Sequence, residues 1–529
     1  MNRLSKRAAP FGVGLVALLA LVAGTAGAGT AKAPPAFKNG GALTVGLTAG
    51  EPDVLDPTLA RTFSGREVFL TFCQKLYDLD AKARIVPQLA SALPTISKDK
   101  LTVTIPLRTG IKFNDGTAFN AAAVVTSLQR DLTLTGSVRL SEISPIDTLA
   151  ASGANKVVIH LKQPYSPLIA QLADRAGMIM SPAQLNKLGD KFGTDPICVG
   201  PYTFDNRVAG DSITVDKSPF YYDKKDVHFD KIVFKVENSA PAAAAALKAG
   251  DLQALDGIAA TELQGVASDP SLRILTAASL GYQGITFNIG NKNGLGKPYS
   301  NVGTSIASSA KLREAFELAI DKRALNRVVF NGTVLPGCTP LSPASAWFDR
   351  TVKCPRFDPA QAKQLIQQSG VTNPTVHLMV PTATVALQQA QFIQAEEKAV
   401  GINVVIDPTD FVTSLSKADA GTYEAFQIGW SGRVDPDGNI YQFVATPGGQ
   451  NDSGYSNPRL DLILNNARKA TSQKARSALY HAAQQIILQD RPLIYLYHGV
   501  TRAGVSKQVA GVQIFPDTLL RVAFAGYTK

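Results

Sequence analysis

Apolar and polar residues alternate in short runs along this chain. Between those runs, apolar positions recur every three or four residues. The alternating, β-branched stretches 42–48, 100–107, 156–161, 212–215, 231–236, 375–380, 402–406 and 493–497 predict half-buried strands. The apolar run 425–430 predicts another, ending at Trp430 and followed by an arginine and a Pro-Gly turn. Helices carry explicit punctuation. Asp358-Pro359-Ala360-Gln361 supplies an N-cap, a first-turn proline and a capping-box glutamine, and Gly370 ends that helix. Pro241 opens an alanine-rich helix that Gly250 closes, and Asn457-Pro458 starts one with Leu460, Ile463, Leu464 and Ala467 on a single face. The stretch 311–329 predicts one helix with Leu312, Phe316, Ala319 and Val328 on its apolar side. A helix over 387–400, a stop at Gly401 and a strand over 402–406 make an α/β unit. The order predicts α/β lobes with mixed sheets. No Gly/Ser-rich or Pro-rich linker divides the chain, which implies lobes interleaved in sequence.

Arg3, Lys6 and Arg7 precede an apolar run over 11–23, with small residues and Ala-x-Ala options ending at Ala28, Ala31 or Ala33. This predicts a cleaved secretory leader over 1–31, too short for a stable spanning helix. No cysteine precedes Cys73, so no lipid-anchor site is expected and a periplasmic location follows. Removing residues 1–31 takes only those three basic residues and lowers the net charge from +11 to +8. The surplus is scattered, without Lys/Arg runs or aromatic-basic alternation, which predicts a solvated basic surface and no nucleic-acid partner.

Four cysteines suit an oxidising compartment. Cys338 and Cys354 flank a Pro-containing connection and predict a local disulfide, which leaves Cys73 and Cys198 as the second pair. Four buried thiols are the alternative, because sequence does not fix connectivity.

No His-Glu-x-x-His or Cys-x-x-Cys occurs, and the five histidines lie far apart. The glycine-rich segment 290–297 has Asn291 and Pro298 where a phosphate loop needs Gly and Ser/Thr. Asp435-x-Asp437-x-Asn439 begins like a calcium loop, but Ile440 and Thr446 replace its glycine and closing glutamate. Gly429-Trp430-Ser431-Gly432 lacks nucleophile-elbow spacing. Asp435-Pro436-Asp437-Gly438 fits a type I turn. No enzyme activity and no cofactor are expected.

Collinear blocks carry a resemblance across nearly the whole chain. They include Leu55-Asp56-Pro57, Pro87-Gln88-Leu89-Ala90, the block from Leu107 to Thr117, Val199-Gly200-Pro201-Tyr202, Leu247-Lys248-Ala249-Gly250-Asp251, the block from Ala315 to Lys322, Gly454-Tyr455-Ser456-Asn457-Pro458, and Tyr495-Leu496-Tyr497. With these the chain resembles the family 5 extracytoplasmic solute-binding proteins of ABC importers, which include dipeptide, oligopeptide and nickel binders. The resemblance implies a two-lobed periplasmic-binding-protein fold of type II, the Venus-flytrap form, with an extra small domain inserted in lobe I. Lobe I would comprise 34–70, 180–278 and 499–529, the extra domain 71–179, and lobe II 279–498. Strands near 282–288 and 494–498 would act as the hinge. The implied function is capture of a peptide or peptide-like solute and its delivery to membrane permease subunits, by a monomer. A nickel-chelate or other small-solute binder is the alternative within the fold, and a periplasmic enzyme or chaperone the alternative outside it.

The resemblance also implies where ligand sits. Gly429, Trp430 and Ser431 would offer backbone groups strand to strand. Packing in the core is the competing role for Trp430. Tyr282 and Gln283 at the crossover and Arg66 from lobe I would line the cleft. In many peptide binders of this family an aspartate after the tryptophan segment takes the peptide amino terminus. Aligned on Trp430, this chain has Arg433 there, with Asp435 two residues on. Arg433 in the cleft would select a ligand carboxylate, with Asp435 as the candidate for the amine role. The alternative pairs Arg433 with Asp435 or Asp437 at the turn.

Overall fold

A computed structural model describes residues 36–529, and the leader predicted over 1–31 lies outside the described residues. Two mixed sheets organise the molecule. The first runs Leu272–Ala278, Val500–Ser506, Ala254–Leu255, Ala42–Leu47, Lys231–Val236, Ser212–Lys217 and Tyr202–Val208. Ala42–Leu47 pairs in parallel with both neighbours, and the other pairs are antiparallel. The second sheet runs Leu335–Pro336, Leu493–His498, Tyr282–Phe287, Ala425–Trp430, Thr375–Pro381 and Asn403–Thr409. Each sheet is buried against helices in its own apolar core, the first around Leu43, Phe69, Phe72 and Phe234, the second around Ile285, Phe316, Val376 and Ile494. A four-stranded antiparallel sheet, Thr95–Ile96, Thr102–Pro106, Lys156–Leu161 and Ile146–Ala151, carries a third core around Phe113, Val124 and Ile159.

Most predicted strands form within two residues of their expected bounds, since one buried face fixes an alternating pattern. Residues 311–329 depart from expectation. They form two helices, Ala310–Ala319 and Lys322–Phe330, with Ile320 extended between them. Asp321 causes the break: its carboxylate accepts from the Arg323 and Ala324 amides at 2.9 and 3.0 Å, so it caps a new helix. Val328 falls on the solvent side of that helix, 67% exposed. The Asp435–Gly438 turn closes with Gly438 N–H donating to Asp435 C=O at 3.2 Å, and it leads straight into the helix Asp437–Val444.

The chain passes from the first sheet to the second at Ser279–Gly281, and back at Gly499. Ser279 N–H donates to Gly499 C=O at 2.9 Å, so the two crossings are bonded to each other. His498 Nδ1 lies 2.7 Å from Gly281 C=O. A Cβ on Gly281 would lie 1.8 Å from the Trp430 carbonyl oxygen, which explains the glycine where crossing and binding loop touch. Cys73 is bonded to Cys198 and Cys338 to Cys354, in the predicted pairing.

Candidate functional site

Between the two sheets lies a cavity of about 800 Å³. From the side of the first sheet it is lined by residues such as Glu51, Arg61, Arg207 and Ile258, and from the second by Gln427 to Ser431, Phe411, Phe443 and Tyr497. The strand Ala425–Trp430 pairs with Tyr282–Phe287 along its whole length. On its other edge it pairs with Thr375–Pro381 only at Ala425 and Phe426. Gln427 to Trp430 therefore keep an edge without a strand partner among the described residues, and all four line the cavity. The amide of Gln283 lies over Gly429, where a Cβ would approach it to 2.3 Å.

The loop after Trp430 is held by one side chain. Asn439 Oδ1 accepts from Trp430 Nε1 at 3.1 Å and from the Arg433 amide at 2.7 Å, and its Nδ2 donates to Arg433 C=O at 2.8 Å. The indole is sandwiched between the Arg433 guanidinium, 4.1 Å from the ring centroid, and the edge of Phe443. Trp430 is thus both core-packed, at 8% exposed, and part of the cavity wall. Tyr282 meets Tyr495 and Phe443 edge-on beside it.

Five of the eight expected site residues are brought together here: Tyr282, Gln283, Gly429, Trp430 and Ser431. Arg66, Arg433 and Asp435 do not line the cavity. The expectation that Arg433 points into the cleft is corrected: its Nε is paired with Asp174, the N-cap of the short helix Arg175–Gly177. Neither turn aspartate is its partner. Asp435 takes Arg476 through two parallel bonds of 2.7 Å, and Asp437 takes Arg468 at 2.7 Å, so Asp435 is not free for a ligand amine. Arg66 binds Asp174 at 3.0 Å and Ser431 Oγ at 3.0 Å. The common reason is burial: a charge withdrawn from water requires an opposite charge in contact, and each of these groups has found one inside the fold. Burial raises the Asp174 carboxyl, yet Arg433, Arg66 and Arg175 together hold it well below the usual range.

Sequence reading missed the groups that span the cavity. Arg61 reaches from the first body to Asp419 and, at 3.4 Å, to Asp452 on the second. Burial pushes the Asp452 carboxyl up to about 6, opposed by Arg61 and reinforced by Asp419. Arg207 pairs with Glu51 at 2.6 Å on the first body alone. No local pattern marks Arg61 or Asp452, because their meeting depends on two sheets facing each other. Among the described residues no cluster of side chains is suited to a metal, and no histidine lines the cavity.

Comparison with known proteins identifies this architecture. The model for bacterial extracellular solute-binding proteins, family 5, matches residues 84–452. The chain belongs to that family. The glutathione-binding protein GsiB of Pectobacterium atrosepticum is 30% identical over 488 residues, covering 90% of this chain and 92% of that protein. GsiB of Escherichia coli K12 is 30% identical over 477 residues, covering 88% and 90%. Among solved structures, the oligopeptide-binding protein AppA of Bacillus subtilis, in complex with a nonapeptide, superposes with a TM-score of 0.84 at 21% identity, covering 93% of this chain and all of that one. AgaA of A. tumefaciens R10, in complex with agropinic acid, gives 0.80 at 25% identity, covering 92% and 96%. The family 5 fold is two-lobed, and the two sheets above are the lobes' cores.

Proposed function

We propose that this family 5 protein captures a peptide or peptide-like solute between its lobes and delivers it to the permease of an ABC importer. The observation that carries the reading is the open edge of Ala425–Trp430 along the cavity wall. A strand edge gives a ligand main chain a row of hydrogen-bonding groups that do not read side chains, and apolar neighbours such as Phe411 and Phe443 accept varied ones. A volume of about 800 Å³ suits a ligand of a few residues. Relatives named for glutathione or crystallised with a peptide support the same chemistry, glutathione itself being a small peptide. Gly429, Trp430 and Ser431 would meet the ligand's main chain, with Tyr282 and Gln283 closing the hinge side.

In this reading lobe I comprises 34–70, 180–278 and 499–529, the inserted domain 71–179 and lobe II 279–498, with the crossings at Ser279–Gly281 and Gly499 as the hinge. The protein acts in the periplasm as a monomer after loss of its leader, and performs binding without catalysis. A nickel-chelate reading has no histidine at the cavity to favour it.

Native mass spectrometry after gentle purification tests the proposal. The expected result is a family of peptide masses released on denaturation. A retained metal complex supports the nickel-chelate reading instead, and an empty protein with measurable turnover overturns the binding role.

A further inference from the structure

Behind the Trp430 end of the cavity four arginines are buried together: Arg66, Arg139, Arg175 and Arg433. Two carboxylates contact them directly, and a third, Asp131, lies near Arg139 with its carboxyl raised by burial to about 8, so that it is mostly protonated at neutral pH. Asp174 contacts Arg66 at 3.0 Å, Arg175 at 3.7 Å, and Arg433, while Glu142 contacts Arg139 at 2.9 Å. The adjoining pairs Lys75 with Asp78 and Arg521 with Asp517 are internally balanced. Four guanidiniums against two carboxylates leave two positive charges in excess, in a region withdrawn from water. Several of their N–H groups, including Arg66 Nε, Arg433 Nη2 and Arg175 Nη2, have no hydrogen-bond acceptor among the described residues. Burial, followed by the neighbouring arginines, draws Arg175 and Arg433 below the usual arginine range. A positive potential that the protein does not itself neutralise extends outward from this cluster.

Ser431 joins the cluster to the cavity. Its Oγ accepts from Arg66 Nη1 at 3.0 Å and from Arg433 Nη1 at 3.3 Å. A hydroxyl oxygen has two lone pairs and one proton. With both lone pairs facing guanidiniums, the O–H is turned to the remaining tetrahedral direction. No protein group accepts that proton among the described residues, and Ser431 is half-buried on the cavity wall.

We propose that Ser431 donates a hydrogen bond to the ligand, polarised from behind by Arg66 and Arg433, and that the ligand group it takes is a carboxylate. Arg433 acts on ligand through this hydroxyl, without entering the cleft. A carboxylate is favoured because it brings the negative charge the cluster lacks, and because charge-assisted hydrogen bonds are the stronger kind. A ligand ammonium at this place meets the same field as repulsion. The inference rests on the cleft being the ligand site.

Ser431→Cys tests it without a known ligand. The four native cysteines are all in disulfides, so the introduced thiol is the only one. The expected thiol titrates at least about one unit below the ordinary value of ~8.5. Its rate with iodoacetate relative to iodoacetamide should exceed by at least about threefold the ratio for Ser91→Cys, at an exposed position. Adding Arg175→Met, which removes a positive charge without touching Ser431, should move both readings back toward the control. A thiol at or above the ordinary value, with no preference for the anionic reagent, overturns the inference. Calorimetry supplies the ligand arm, with glutathione and its diethyl ester as probes. Ser431→Ala should weaken glutathione at least about tenfold and the ester less than threefold, as expected for a lost bond to charge. Equal losses overturn the carboxylate assignment. If neither probe binds the natural protein, the peptide reading of the cleft is at fault, and the thiol measurements still decide the case for Ser431.

Discussion

Glu397 lies in the helix Thr384–Val400 with its side chain wholly buried and neither carboxylate oxygen hydrogen-bonded. Burial, reinforced by Glu396, lifts its carboxyl well above the usual range, so the folded protein holds a proton there that the unfolded chain releases. The sign follows. Below the unfolded value near 4.3 both states are protonated and nothing is lost. As pH rises, stability falls by about 1.4 kcal/mol per unit until the folded carboxyl ionises. Glu397→Gln removes that ionisation, so in urea titrations its stability relative to the natural protein should improve as the pH rises from about 5 toward the point where the folded carboxyl ionises. Parallel curves across that range rule the assignment out. At this scale the sequence was only partly legible. Tyr282, Gln283 and the Gly429–Ser431 segment, which the family resemblance implied, line the cavity. Arg433 was misplaced because its partner, Asp174, lies far upstream and belongs to a different core. The same holds for Arg61 with Asp452 and for Asp435 with Arg476. Charge pairing across a fold has no periodicity to read.

Elements were more legible, because their ends are written in adjacent residues. Asp358 caps Pro359–Ser369 by accepting from the Gln361 amide at 2.9 Å, and Asn457 caps Pro458–Lys469, as their sequences predict. Over 311–329 periodicity and cap disagree, and the cap decides. Apolar spacing runs on through Val328, but Asp321 offers its carboxylate to two amides, and local hydrogen bonding outweighed a continuous helix. Asp321→Ala should therefore cost about 0.5–2 kcal/mol, the usual worth of such a cap. Asp321→Asn should recover most of it, because an amide oxygen accepts the same bonds. The midpoint of chemical denaturation measures both. An alanine variant as stable as the natural protein would mean that the break is imposed by packing of Leu325, Val329 and Phe330 against the second lobe's core.

On the scale of the whole molecule, the chain crosses between the two sheets at Ser279–Gly281 and at Gly499, each next to one of the two strands that the family resemblance implied as the hinge. What closes the lobes was not foreshadowed. Arg61 meets Asp419 and Asp452 across the cavity, and burial pushes the Asp452 carboxyl up to about 6. Opening would return it to water and to the ordinary value of about 3.9. Between those values the closed form keeps a proton that the open form releases, so lowering the pH from 7 to 5 favours closure. Two units bound the effect at roughly 3 kcal/mol, enough to shift a two-state equilibrium strongly. Ligand acts in the same direction at constant pH if it contacts both lobes, since it then binds the closed form better. Small-angle scattering checks both statements. The ligand-free protein should have a smaller radius of gyration at pH 5 than at pH 7. A saturating peptide at pH 7 should reduce the radius as well. Asp452→Asn, which has no proton to release, should abolish the pH response while keeping the response to ligand. A radius unchanged by pH in the natural protein, or a pH response that survives in the variant, would remove Asp452 from the closing step.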